Sequence, residues 1–134
     1  MKQLIVILFT AVSLLLTGCG VSDSIESSSL ISYRTISQEQ AAEIMQQEED
    51  CIILDVRTQE EYESGHIPGA ILLPNELITD TRPAELPDLN RIILVYCRRG
   101  NRSKEAAQKL ADMGYTRVLE FGGINTWKDE LVTN

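Results

Sequence analysis

The sequence predicts an α/β fold built on a mainly parallel sheet. Short apolar runs alternate along the chain with segments of helical periodicity. Two of the runs, residues 51–56 and 91–96, are nearly continuous in apolar character, as strands covered on both faces are. Capping residues, glycines and prolines stand at the boundaries between runs. Strands that alternate with helices call for right-handed βαβ crossovers, and hence for parallel pairing.

The elements follow in order. Tyr33-Arg34-Thr35-Ile36 is a short β-prone run. Ser37, with Gln40 three residues on, forms a capping-box pattern that opens a helix from Gln38 to about Glu48. Ala41, Ala42, Ile44 and Met45 supply its apolar face. The strand Cys51–Val56 comes next. Thr58 and Glu61 repeat the capping-box pattern before a short helix ending near Gly65. Gly65-His66-Ile67-Pro68-Gly69 is a turn, and Ala70–Leu73 a further strand. Residues 74–90 hold Pro74, Pro83 and Pro87 and read as loop, with one helical turn near Asn75–Ile78.

Arg91–Tyr96 is the clearest buried strand and runs straight into Cys97. A helix is expected from near Ser103 to about Met113, because Ala106, Ala107, Leu110 and Ala111 recur at helical spacing. Gly114 suits the residue just past its end. Arg117–Phe121 is a last strand. Gly122-Gly123 then turns into an expected final helix with Ile124, Trp127 and Leu131 on one face.

The chain has 134 residues, enough for one domain. Lys and Arg number 12 against 20 Asp and Glu, a net charge of −8. That balance argues against nucleic-acid binding and against holding an anionic membrane surface by charge. Three cysteines, Cys19, Cys51 and Cys97, make an odd count without a Cys-x-x-Cys pair, and His66 is the sole histidine. Neither a disulfide scaffold nor a Cys/His zinc site is expected.

The amino terminus reads as a targeting segment. Lys2 precedes an apolar run from Leu4 to Leu16. A helix of that length rises roughly 20 Å, short of the ~30 Å hydrocarbon core, which suits a secretory signal rather than a membrane span. Leu16-Thr17-Gly18-Cys19 resembles the lipobox of bacterial lipoproteins. That resemblance implies cleavage before Cys19 and acylation of it, which anchors well because each buried methylene contributes about 0.8 kcal/mol. The expected organisation is a signal peptide over 1–18, a lipidated cysteine with a Ser-rich tether over 19–32, and a domain over 33–134. The expected location is extracytoplasmic, lipid-anchored to a bacterial membrane. The tether would hold the domain some ~20 Å from it.

Chemistry concentrates at Cys97-Arg98-Arg99-Gly100-Asn101-Arg102-Ser103. This segment joins the most apolar strand to a helix, at the carboxyl end where parallel sheets bind ligands. Successive amides in such a turn converge as an anion nest, and the following helix adds the positive end of its dipole. Gly100 and Asn101 are residue types that tolerate the positive φ a tight ring of amides requires. A helix start and nearby arginines lower a thiol pKa, and the thiolate is the reactive form. The site is therefore a nucleophilic cysteine in an anion cradle, with the anion left open.

The same loop resembles the active-site loop of the rhodanese family. Further pieces in family order are Leu54-Asp55-Val56-Arg57, Glu60-Glu61-Tyr62, Gly65-His66-Ile67-Pro68-Gly69-Ala70 and Gly122-Gly123-Ile124-Asn125-Thr126-Trp127. The resemblance spans about residues 33–130. It implies a five-stranded, mainly parallel sheet flanked by helices, a persulfide on Cys97, and neither metal nor organic cofactor. The implied donor is thiosulfate or a low-molecular-weight persulfide, and the acceptor a thiol or cyanide. Backbone amides of Arg98 through Ser103 would hold the persulfide. Arg102 would stabilise the loop and its negative charge, and Arg98 or Arg99 would receive the donor. The chain is expected to act as a monomer.

Related phosphatases and arsenate reductases enclose a larger oxyanion with a Cys-x5-Arg loop. Cys97 to Arg102 is Cys-x4-Arg, and residue 103 is serine, so the spacing favours sulfur transfer. An oxyanion enzyme of phosphatase or arsenate reductase type, a docking module without catalysis, and a persulfide carrier for a redox partner are the other readings. Asp55 and Arg57 are candidates to line the cleft, with an ion pair or loop hydrogen bond as the expected role. Glu60, Glu61 and Glu63 read as a solvated face near Arg57, Cys51 and Trp127 as core, and His66 as a turn residue. If the strands run parallel, Cys51 and Cys97 lie at opposite ends, roughly 16 Å apart, too far for a disulfide.

Overall fold

The computed structural model describes residues 32–133. The expected signal peptide, Cys19 and most of the tether lie outside the described residues. Five strands and three helices alternate: β1 (Arg34–Thr35), α1 (Gln38–Gln47), β2 (Ile52–Asp55), α2 (Gln59–Ser64), β3 (Ile71–Leu72), β4 (Ile93–Cys97), α3 (Asn101–Asp112) and β5 (Val118–Gly123). Single 3-10 turns occupy Asn75–Leu77 and Ile124–Thr126. The sheet order is β1-β5-β4-β2-β3, and every neighbouring pair is parallel.

Local sequence accounts for the helix boundaries. Ser37 Oγ accepts from the Gln40 amide while Gln40 Oε1 accepts from the Ser37 amide, so both halves of the box are made. Thr58 and Glu61 do the same for α2. The end of α3 is closed by Gly114 at φ +98°, with its amide donating to Ala111 and that of Tyr115 to Leu110. These two bonds make the Schellman arrangement, which satisfies carbonyls that the helix end would leave unpaired.

The side-chain alternation of the strands divides the core in two. Leu54, Val56, Val95, Cys97 and Val118 pack with Ala106, Ala107 and Leu110 of α3. Leu94, Tyr96 and Phe121 face the other way, toward Ala41 of α1 and Ile67, with Ile44, Tyr62 and Trp127 against them. Every residue of β4 is buried, as its unbroken apolar character requires. Cys97 is its last residue, so the thiol stands at the carboxyl end of the sheet's central strand.

The β4–β5 ladder is irregular at this end. Val95 pairs with Glu120, but Cys97 pairs with Gly123, so β5 carries one residue more than its partner over this stretch. Such a bulge re-aims the residues beside it.

Three expectations are corrected. The helix α3 begins at Asn101, two residues earlier than the apolar spacing suggests, and the positive φ falls on Gly100 alone. No second left-handed residue is required, because one residue at φ +102° already turns the chain from strand to helix. The expected final helix is a single 3-10 turn. The Gly123 carbonyl, which a longer helix would pair with the Trp127 amide, accepts from the Gln38 and Thr126 side chains, and Trp127 turns to extended backbone. Trp127 still packs into the core, but Leu131 is exposed.

Candidate active site

Cys97 Sγ lies at the base of a cleft of about 350 Å³ lined by Glu61, Arg98, Arg99, Asn101 and Arg102. The Gly100 amide donates to the sulfur at 3.0 Å. The amides of Arg99 and Ser103 also act on it. Ser103 Oγ stands 3.5 Å away. Burial pushes the thiol up, but the Ser103 hydroxyl and the Ser103, Gly100 and Arg99 amides outweigh it, and the net shift is downward. The cradle follows from local geometry: Gly100 at φ +102° folds the loop back so that its amides turn inward.

Arg98 and Arg99 are exposed at the mouth of the cleft. Arg102 faces the cleft too, but its guanidinium is held by Glu61 through two parallel bonds of 2.7 and 2.9 Å. This corrects the reading of Glu61 as part of a solvated face near Arg57. Its carboxylate caps α2, and the same oxygens grip the loop across the carboxyl end of the sheet. The Arg102 guanidinium, chiefly, holds the Glu61 carboxyl down to about 2.

Asp55 and Arg57 form a buried pair at 2.6 Å. Asp55 also accepts from the Tyr96 hydroxyl at 2.7 Å, and Arg57 donates to the Gly65 carbonyl at 2.7 Å. Asp55 is fully buried on the sheet face opposite Cys97 and does not line the cleft. Arg57 reaches a neighbouring hollow with Ser64, Arg98, Ile124 and Asn125. His66 is a turn residue, stacked on Tyr62 with ring centroids 3.7 Å apart and paired through its backbone with Val132. Cys51 and Cys97 are both free.

Two contributors escape a sequence reading of the site. Glu61 is recognisable as a cap but not as the partner of Arg102, 41 residues away. Glu120 is a charge inside an apolar strand, and that mismatch is the signal for it. It is fully buried and accepts from Ser103 Oγ at 2.6 Å.

The second of the paired glycines explains itself through space. A β-carbon on Gly123 would collide with the Arg98 carbonyl. Gly122, by contrast, sits at φ +92°, with open space where a β-carbon would stand. Gly123 therefore lets β5 close tightly onto the cysteine loop.

Known proteins are similar to this chain in sequence and fold. The rhodanese-like domain family matches residues 37–130. A sulfurtransferase of Allochromatium vinosum is 40% identical over 93 residues, covering 69% of this chain and 85% of its own. The thiosulfate sulfurtransferase GlpE of Coxiella burnetii is 36% identical over 97 residues, covering 72% and 88%. A rhodanese-like domain protein from Staphylococcus aureus has a TM-score of 0.66 at 30% identity, over 75% of this chain and 98% of that one. A rhodanese from E. coli, solved with anions, has a TM-score of 0.57 at 36% identity, over 62% and 98%. With its parallel five-stranded sheet ending at a cysteine loop, and a sequence match through nearly all the described residues, this chain belongs to the rhodanese-like domain family.

Proposed function

We propose that the protein is a sulfurtransferase that carries sulfane sulfur as a persulfide on Cys97. The observation that supports this most is the sulfur's position, at the carboxyl end of β4 with the Gly100 amide 3.0 Å away and a short Cys-x4-Arg loop around it. Relatives named sulfurtransferase at 36–40% identity add weight.

The reaction is two displacements. Cys97 thiolate attacks the outer sulfur of thiosulfate or of a low-molecular-weight persulfide. The donor's S–S bond breaks, and sulfite or a thiolate leaves with the electron pair. The negative charge then rests on the outer sulfur of the Cys97 persulfide, facing the loop amides. An acceptor thiolate or cyanide attacks that sulfur, the new S–S bond breaks, and Cys97 thiolate returns. Arg98 and Arg99 draw the anionic donor to the mouth, while Arg102 holds the loop through Glu61. The domain works outside the cytoplasm, held to a bacterial membrane through lipidated Cys19, a reading supported by the lipobox-like Leu16-Thr17-Gly18-Cys19.

Thiosulfate is incubated with the full chain, and its intact mass is taken. A gain of roughly 32 Da per transferred sulfur, reversed by cyanide and absent in Cys97→Ser, is the expected result. No gain with thiosulfate or a glutathione-type persulfide would overturn the reading in favour of a docking module.

A further inference from the structure

Ser103 has one hydroxyl hydrogen and two claimants of negative charge. Its oxygen lies 3.5 Å from Cys97 Sγ and 2.6 Å from Glu120 Oε1. The shorter distance falls in the range of charge-assisted O–H···O⁻ bonds. Glu120 Oε1 also accepts from the Gly122 amide at 2.8 Å, and Oε2 from Thr35 Oγ1 at 3.4 Å. Among the described residues it makes no salt bridge, although it is fully buried. A buried carboxylate without a cation depends on its hydrogen bonds, and Ser103 supplies the shortest of them.

We propose that Glu120 is a positioning residue that acts through Ser103 to hold back ionisation of Cys97. When Glu120 is charged it competes with the Cys97 thiolate for the single Ser103 hydrogen, and so weakens the hydroxyl donor that lowers the thiol. Ionising Cys97 then places a second negative charge on the same short chain of bonds. Other charged groups around this pair are few. From α3, Arg102 acts on Cys97 but is neutralised by Glu61 of α2, and Glu76 acts on Arg102 in turn. Arg98 and Arg99 stand at the mouth. β1 offers Glu120 only the Thr35 hydroxyl, and β4 pairs Val95 with it.

The arrangement has a chemical purpose. The loop amides favour the thiolate, and a thiolate stabilised too far is a poor nucleophile toward sulfur. The best attacking thiol has a pKa near the ambient pH. Glu120 acts as the counterweight.

The inference rests on Cys97 being the nucleophile, yet alkylation reads its thiol directly, without any sulfur donor. Failure here and failure of sulfur transfer are therefore distinguishable. The rate of iodoacetamide modification is followed against pH in the full chain, on the peptide that carries Cys97. In Glu120→Gln the midpoint should fall by about one pH unit and the plateau rate by about threefold. Glu120→Asp keeps the charge and should restore the native midpoint. A Glu120→Gln midpoint that is unchanged or raised overturns the proposal. A second measurement needs no folded variant. In the native chain the carboxyl ¹³C shift of Glu120 should inflect at the Cys97 midpoint and lose that inflection once Cys97 is blocked as a methyl disulfide. Absence of the inflection also overturns it.

Discussion

Arg102 grips Glu61 through two parallel hydrogen bonds, so a side chain of the cysteine loop is fastened to the first turn of a helix on the opposite sheet face. The Glu61 carboxyl, held down to about 2, binds a proton more weakly in the folded chain than in the unfolded one. The pair therefore stabilises the fold at neutral pH and loses that contribution as pH falls from the ordinary 4.5 toward 2. Both side chains reach solvent, which reduces the effect to about 1 kcal/mol. Glutamine can still cap α2, so Glu61→Gln isolates the charge. Urea unfolding should show the variant weaker by about 1 kcal/mol at pH 7, with the gap nearly gone near pH 2. A gap that ignores pH would show that the ion pair is not its source.

The two described cysteines should part company in solution. Cys97 is lowered by its loop despite burial, while burial, and after it Glu48, pushes Cys51 up. Peptide mapping after alkylation at graded pH should find Cys97 modified first, its midpoint below the ordinary ~8.5 and that of Cys51 above it. Equal midpoints would remove the anion cradle from consideration.

Asp55 receives both the Arg57 guanidinium and the Tyr96 hydroxyl with no access to water. Removing one partner leaves the other charge buried and alone, which costs about 3–5 kcal/mol. Asp55→Ala and Arg57→Ala should each lose that much in chemical denaturation. Arg57→Lys should recover only part, because lysine cannot span two carboxylate oxygens and the Gly65 carbonyl together. A loss under about 1 kcal/mol in both alanine variants would contradict the buried-pair account.

Gly123→Ala forces a methyl group against the Arg98 carbonyl and must displace the cysteine loop. We expect a loss of about 1–3 kcal/mol in stability. Persulfide loading on Cys97 should slow by roughly tenfold or more, since small misplacements of reacting groups are costly. Native loading in a folded Gly123→Ala chain would show that the loop does not depend on this close approach.

What the sequence shows of this fold is what depends on near neighbours. Ser37 with Gln40 and Thr58 with Glu61 mark helix starts because each box closes over three residues. The apolar run into Cys97 identifies a covered strand, and with it the carboxyl end where the loop must lie. Pairings that close over long distances leave no such trace. Glu61 is legible as a cap but not as the partner of Arg102, and Glu120 as a charge in an apolar strand but not as the partner of Ser103, 17 residues upstream. The missing last helix has the same origin. Ile124, Trp127 and Leu131 have helical spacing, but Gln38 claims the Gly123 carbonyl that a longer helix would use, and Trp127 turns to extended backbone.

The extra residue of β5 between Glu120 and Gly123 carries a lesson for engineering. Side-chain direction alternates along a strand, so one residue decides which of them face Cys97. A redesign that straightened this ladder, by deleting one position to restore regular pairing, would improve the sheet as a sheet. It would also turn either Glu120 away from Ser103 or Gly123 away from Arg98. Stability and chemistry make opposite demands on a single insertion, and a stabilising library built on this scaffold should leave its length untouched.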